Sequence, residues 1–358
     1  MRKLAKIVSI DSITPIENAD SLECAHVGGW QVVVRKDDFK PGDKALYFEI
    51  DSALNPYDTR YAFLRERCYK KFTAYGKIFD ECIRIKTMKL RGVLSQGLLM
   101  KTDDFREVRN KRVGDDCTAE LAVRHYDEIA THAMKVSEKQ VSADQKGLFP
   151  SFIPKTDEER IQNLPEYFDR LKDMEFEVTR KVDGSSMTVF YSPSNRPDDP
   201  FGICSRNFEL KPECTESAYV QMAEKFKLKQ ALAFEHWESG LELAIQGELN
   251  GPGINKNRDC LTELDFKVFR IWDIKNACYL TPNQRILFCE KHHIPHVPII
   301  ERYFKPFTMF KDMDELLKFS DGLTENGHPR EGLVYKEERA CCPITFKVVS
   351  NEYLLKEK

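Results

Sequence analysis

Over its first third the chain alternates apolar and polar residues in short runs, and turn-forming residues close several of them. Lys3-Leu-Ala-Lys-Ile-Val-Ser-Ile10, Leu22 to Val27, Gln31-Val-Val-Val34 and Ala45-Leu-Tyr-Phe-Glu-Ile50 each read as a strand, because a period of two sends alternate side chains to opposite faces. Gly28-Gly29 and Pro41-Gly42-Asp43 lie between them as turns, and a fifth strand is expected after Ser95-Gln-Gly97. Five short strands with little helix predict a small barrel over residues 1–118. The pattern fades over 119–148, which is rich in Lys, Glu, Gln and Ser and reads as a linker with room for a short helix. From Phe149 to the end, 149–358, the pattern is mixed α/β. One helix is predicted from Thr215 to about His236, with Val220, Ala223, Phe226 and Leu232 as its apolar positions.

Composition narrows the class without naming a chemistry. The 358 residues suffice for two domains, each with its own core. A hydrophobic content of 41% against 32% charged describes a soluble globular chain with no run long enough to span a membrane. The 11 cysteines form no C-x-x-C pair, so reduced thiols in a cytoplasmic-type compartment are expected. A net charge of −3 gives no overall nucleic-acid footprint, so any such binding needs a local basic face.

The chemistry begins at Lys181-Val-Asp183-Gly184, directly after the extended stretch Glu175-Phe-Glu-Val-Thr-Arg180. A lysine ending a strand, followed by an Asp-Gly turn, sets an amine and a carboxylate at one pocket rim. That pairing suits a lysine nucleophile attacking a nucleotide α-phosphate. Taken alone, the motif reads more readily as a strand–turn–strand hairpin with an exposed lysine. Alternation puts Glu177, Thr179 and Lys181 on one face, the expected pocket, and Phe176 and Val178 on the other, the expected core. Downstream, in order, come Ser205-Arg206-Asn207, Gln246-Gly247-Glu248-Leu249, Phe266-Lys-Val-Phe269-Arg-Ile-Trp-Asp273, Arg330-Glu331-Gly332-Leu-Val-Tyr335-Lys336 and Phe346-Lys347-Val-Val.

This ordered set resembles the motifs of the covalent nucleotidyltransferases: ATP-dependent DNA and RNA ligases and mRNA capping enzymes. The resemblance implies a second domain built on antiparallel sheets and gives the residues roles. Lys181 would carry AMP. Asp183, Glu248 and Glu331 would surround Mg²⁺ or Mn²⁺, whose charge would disfavour the ammonium form of Lys181. Glu177, Thr179 and Arg180 would line the nucleotide pocket, and Phe269 would stack on adenine. Arg206 would engage the 3′-OH nucleotide or its phosphate, and Lys347 the α-phosphate. Many relatives carry Lys-x-Lys in the last motif where this chain has Thr345-x-Lys347, so Lys336 and Arg339 are candidates for the missing contact. Upstream, Thr156 and Glu159 form a possible capping box for a helix, with Arg160 and Gln162 in reach of the nucleotide. Cys289-Glu-Lys-His292-His293-Ile-Pro-His296 has zinc-like residues but reads as an ordinary helix-to-strand connection.

The N-terminal strands, with Val27-Gly-Gly-Trp30 and Phe39-Lys-Pro-Gly-Asp43, look like RNA-binding OB-fold modules, the five-stranded barrel option. Eleven residues follow Lys347, so no second OB module is expected after the last motif. That order resembles a group of ATP-dependent RNA ligases with an N-terminal OB-fold and a C-terminal adenylyltransferase domain, which seal 3′-OH/5′-phosphate breaks. The implied partners are RNA ends, nicked duplex RNA or an RNA/DNA hybrid, handled by a monomer. Lys70 and Lys71, within the basic-aromatic run 65–77, and the cluster Lys86, Lys89 and Arg91 are the expected RNA-binding residues. Two other readings stay open: a non-catalytic RNA-binding protein with a vestigial second domain, and a GTP-using capping guanylyltransferase.

Overall fold

The computed structural model describes residues 2–74, 77–136, 144–339 and 341–356. Two compact units result, Met1–Gln140 and Val141–Lys358. In the first, the strand Lys44–Phe48 pairs antiparallel with Ala5–Ser9 on one side and Leu98–Lys101 on the other. Four of its five residues are buried because both faces are covered. Leu46 and Phe48 pack with Leu4, Ile7 and Ile83, while Ala45 and Tyr47 pack with Trp30, Val32 and Leu99. Alternation along one strand therefore feeds two cores. Ser12–Pro15, Leu22–Val27 and Trp30–Arg35 form an antiparallel meander.

The five expected strands are present, and the sequence pattern missed others whose alternation is interrupted by charge. Tyr69–Ala74 pairs with Lys77–Arg84, and Thr87–Leu90 forms a hairpin with Val93–Gln96. Within 119–148 the described residues include the short helix the sequence allowed, with strand pairings on either side. Arg124–His125 pairs with Ser52–Leu54, Tyr126–Val136 is a helix packed through Ile129, and Gln145–Leu148 pairs with Phe208–Leu210 in the second unit. So few apolar residues anchor these elements that no period shows in the sequence.

The second unit holds two antiparallel sheets. A four-stranded sheet has the order Ile299–Phe304, Phe176–Arg180, Gly332–Glu337, Thr345–Val349. A seven-stranded sheet has the order Gln145–Leu148, Phe208–Leu210, Phe201–Cys204, Ser185–Tyr191, Leu243–Asn250, Asp265–Asp273, Cys278–Tyr279. One face of the four-stranded sheet is apolar as expected, with Phe176, Val178, Leu333, Tyr335, Phe346 and Val348 in one core. The predicted single helix at 215–236 is two, Ala218–Lys225 and Leu228–Ser239, broken where Lys227 takes a left-handed φ of 51°. Among the described residues no helix is long and apolar enough to cross a membrane.

The fold places the Lys181 motif between the sheets. Phe176–Arg180 belongs to the four-stranded sheet and Ser185–Tyr191 to the seven-stranded one, so residues 181–184 form a crossover and not a hairpin turn. Gly184 is required there: a Cβ would stand 2.3 Å from the Leu249 carbonyl oxygen.

Candidate active site

A cavity of about 520 Å³ opens at this crossover and takes residues from both sheets. Two rungs on one face of the four-stranded sheet bear on it. Thr179, Val334 and Lys347 lie side by side on one, and Glu177, Lys336 and Thr345 two residues further along each strand, with the core rung Val178, Tyr335 and Phe346 between them. The seven-stranded sheet contributes Ser185, Ser186, Glu248 and Phe269. Phe269 is half-buried and stands outside the core made by its strand neighbours Phe266, Val268 and Ile271. With Val297, Val334 and Val349 it gives the cavity an apolar side.

At the crossover the site is acid-rich. The Lys181 Nζ lies 2.7 Å from Glu331 Oε1. Burial works against its ammonium form, but the carboxylates of Glu331, Glu248 and Glu158 outweigh burial and hold its pKa above the ordinary lysine value. The activation expected from the sequence is thus not built into the protein groups alone, which keep the proton on. Burial pushes the Glu248 carboxyl up to about 8 against the pull of Lys181, and Glu331 and Asp183 add to the rise. Asp183 faces Arg258 at 3.5 Å. Arg258 in turn hydrogen-bonds the Tyr353 hydroxyl and lies 4.8 Å over that ring, on the helix Asn351–Lys356.

Further along the cavity, cations meet carboxylates of the segment before the 3₁₀ turn Ile161–Asn163. Asp157 Oδ1 is 2.7 Å from Lys347 Nζ, and its other oxygen is 3.9 Å from Arg206. Glu158 stands 3.5 Å from Arg270. No helix begins at Thr156: residues 154–159 are irregular, and Arg160 forms a parallel bridge to Lys347. The chain here follows the strand Thr345–Val349, with the Lys347 amide donating to the Glu159 carbonyl at 2.8 Å. That contact draws the acidic residues into the pocket and overrides the capping pattern.

Lys336 differs from its neighbours. Its side chain is buried, yet it lines the cavity, and Nζ has no hydrogen-bond partner among the described residues. Burial, reinforced by Arg285, draws its pKa down to about 7 despite the nearby Glu177. Glu177 cannot serve it, because Arg285 binds both carboxylate oxygens at 2.8 Å.

Of the residues singled out from sequence, Thr179, Arg180, Lys181, Asp183, Arg206, Glu248, Phe269, Glu331, Lys336 and Lys347 all line this cavity, as does Arg160. Glu177 and Gln162 do not. Glu177 is fully buried in its pair with Arg285, and the Gln162 side-chain amide is buried. Arg180 is turned toward Glu325 and Asp259, and Arg339 pairs with Glu175 at 3.2 Å, outside the cavity. Sequence reasoning missed Asp157, Glu158, Asn255, Arg258, Arg270 and Arg285. Only the acidic run after Lys155 and the polar Gly-Pro-Gly loop after Asn250 hinted at any of them. His292 pairs with Glu235 at 2.6 Å, and Cys289 is buried in the core.

In the first unit Lys70, Lys71, Lys86, Lys89 and Arg91 are all exposed. Lys70 and Lys71 are successive residues of one strand and so point to opposite faces. Lys71 lies 5.6 Å over the Tyr69 ring, and Arg91 sits at a hairpin tip with φ 49°. Tyr75 and Gly76 of the same basic-aromatic run lie outside the described residues.

Comparison with known proteins bears on both units. The RNA ligase family profile matches residues 174–349, and an OB-fold domain profile matches residues 4–102. Among solved structures, an RNA ligase variant from Naegleria gruberi with AMP and Mn is similar at 36% identity, 99% coverage of each chain and a TM-score of 0.77. A second variant of that ligase, with ATP and Mn, gives the same values. The same ligase with PPi matches at 37% identity over 100% of this chain and 99% of its own, with a TM-score of 0.73. A search of curated proteins finds no match.

Proposed function

The chain belongs to the RNA ligase family, and we propose that the cavity at the crossover is where it works as an ATP-dependent RNA ligase through a lysyl-AMP intermediate. The observation that carries this reading is Lys181 itself: a lysine on a sheet-to-sheet crossover, inside a nucleotide-sized cavity, with Glu331 at 2.7 Å and Glu248 close by.

Three in-line displacements at phosphorus follow. Lys181 attacks the α-phosphate of ATP, forming an N–P bond as pyrophosphate leaves, and its proton has an acceptor in Glu331. AMP then passes to an RNA 5′-phosphate. Finally the 3′-OH attacks that activated phosphate and AMP departs. Each transition state develops negative charge on phosphoryl oxygens, where Lys347 and Arg206 supply positive charge. Phe269 and the facing valines take the adenine between apolar surfaces.

A divalent cation fits the acidic end. Asp183, Glu248 and Glu331 are hard oxygen donors, and a cation would relieve both the burial and the neighbouring carboxylates that push Glu248 up to about 8. Among the described residues no three acidic, His or Cys groups are grouped tightly enough to hold a metal by themselves. The fit is therefore to Mg²⁺ or Mn²⁺ that keeps waters between itself and the carboxylates. When bound, the ion supplies Lewis-acid neutralisation of phosphate charge and lowers the proton affinity of Lys181.

The first unit is read as the clamp on RNA ends, whether in nicked duplex RNA or an RNA/DNA hybrid, with Lys70, Lys71, Lys86, Lys89 and Arg91 on phosphates. The protein acts as a monomer. All eleven cysteines are free thiols, in keeping with a reducing, cytoplasmic-type compartment. The test is incubation with labelled ATP or GTP, denaturation, and a search for label on the chain. Label from ATP alone is expected. Label from GTP means a capping enzyme, and no label means a vestigial domain.

A further inference from the structure

We propose that Cys278 and Cys341 are a redox-sensitive strap, which a hydroperoxide closes into a disulfide that ties together the two sheets walling the large cavity.

Their placement singles them out. Six of the eleven cysteines are buried, and three of the other five meet at one spot, with Cys278 half-buried and Cys341 and Cys342 exposed. Cys278 belongs to Cys278–Tyr279, the edge strand of the seven-stranded sheet. Cys341 and Cys342 stand shortly before Thr345–Val349, an edge strand of the four-stranded sheet. The main chain already bridges the two, because the Tyr279 amide donates to the Cys341 carbonyl at 2.7 Å. The side chains meet as well. The Cys278 thiol shares a hydrogen bond with that of Cys341, and Cys342 is near enough to act on its charge. Residues held so close are within reach of a disulfide, whose Cα atoms stand about 4.4–6.8 Å apart. Beside the pair lies a recess lined by Tyr279 and Pro343, and also by Phe269 and Lys336, which line the large cavity too. The strap is therefore fastened to a wall of that cavity.

The two thiols have different parts. Burial, with Asp273 and the two neighbouring thiols, raises the pKa of Cys278, so it yields little thiolate and the exposed Cys341 meets the oxidant first. The Cys341 thiolate attacks a peroxide oxygen. An S–O bond forms, the O–O bond breaks, hydroxide or alkoxide leaves, and the sulfur is oxidised by two electrons to a sulfenic acid. The Cys278 sulfur then attacks the Cys341 sulfur. The S–S bond forms, the S–O bond breaks, and the departing hydroxide takes the Cys278 proton as water. A dithiol reductant returns two electrons and reopens the strap.

The test treats the full chain with hydrogen peroxide, blocks remaining thiols with N-ethylmaleimide, and maps peptides without reductant. A peptide pair joined through Cys278 and Cys341 is expected, and dithiothreitol should separate it. Closing a loop of this length should raise the melting temperature by about 5–10 °C over the reduced chain. Cys278→Ser and Cys341→Ser should lose both effects and Cys342→Ser should keep them. Cys341 is exposed, so its variant still folds if Cys278→Ser does not. A bond between Cys341 and Cys342, no cross-link at all, or a cross-link that leaves the melting temperature unchanged or lower overturns the proposal. None of these readouts uses nucleotide. A wild type that forms no lysyl-AMP therefore fails the ligase reading alone, and a missing cross-link fails this inference alone.

Discussion

Lys181 and Lys336 line one cavity, and the protein treats their amines in opposite ways. At the crossover, Glu331, Glu248 and Glu158 hold Lys181 as an ammonium despite burial. At the other, burial with Arg285 and Arg270 nearby strips Lys336 toward neutrality. The difference teaches that burial alone does not decide a lysine's charge; the sign of its neighbours does.

The sharpest way to break this contrast is to remove the nucleophile. Lys181→Ala should lower covalent AMP attachment by at least about a thousandfold, read as label on denatured protein, while leaving the fold intact. Next comes the pair that isolates Lys336. Glu177→Gln leaves Arg285 buried without its counter-charge and should cost about 3–5 kcal/mol in urea unfolding. A smaller effect is expected from removing charge on the first unit. Lys70→Ala with Lys71→Ala should weaken nick sealing several-fold and flatten its salt dependence, by a log–log slope of about 2 at most, while lysyl-AMP forms as before. Loss of lysyl-AMP would count against the clamp reading. The smallest change is Asp157→Asn. It takes an internal carboxylate off Lys347 and Arg206, and AMP should bind about two- to fivefold more tightly, since an exposed pair is a weak competitor.

Much of the candidate site was legible because its residues sit in ordered motifs that resemble those of a known family. Lys181, Asp183, Glu248, Phe269, Glu331 and Lys347 all line one cavity. Strand alternation also gave the barrel's five strands and the apolar face of Phe176 and Val178. It failed where a side chain's fate depends on a distant partner. Glu177 has the right parity for the pocket, but Arg285, 108 residues away, claims it. Asp157 and Glu158 enter the cavity through main-chain contact with the strand of Lys347, which no local pattern encodes. The crossover of residues 181–184 between two sheets was likewise not visible locally, since sheet membership is a tertiary property.

The helix Asn351–Lys356 looks peripheral, yet its Tyr353 supports Arg258, and Arg258 faces Asp183. The tail of the described chain is thus a keystone for a carboxylate two residues from Lys181. Clipping it, or crowding it with a fused tag, would slacken the reactive centre from a distance while the sheets stay whole.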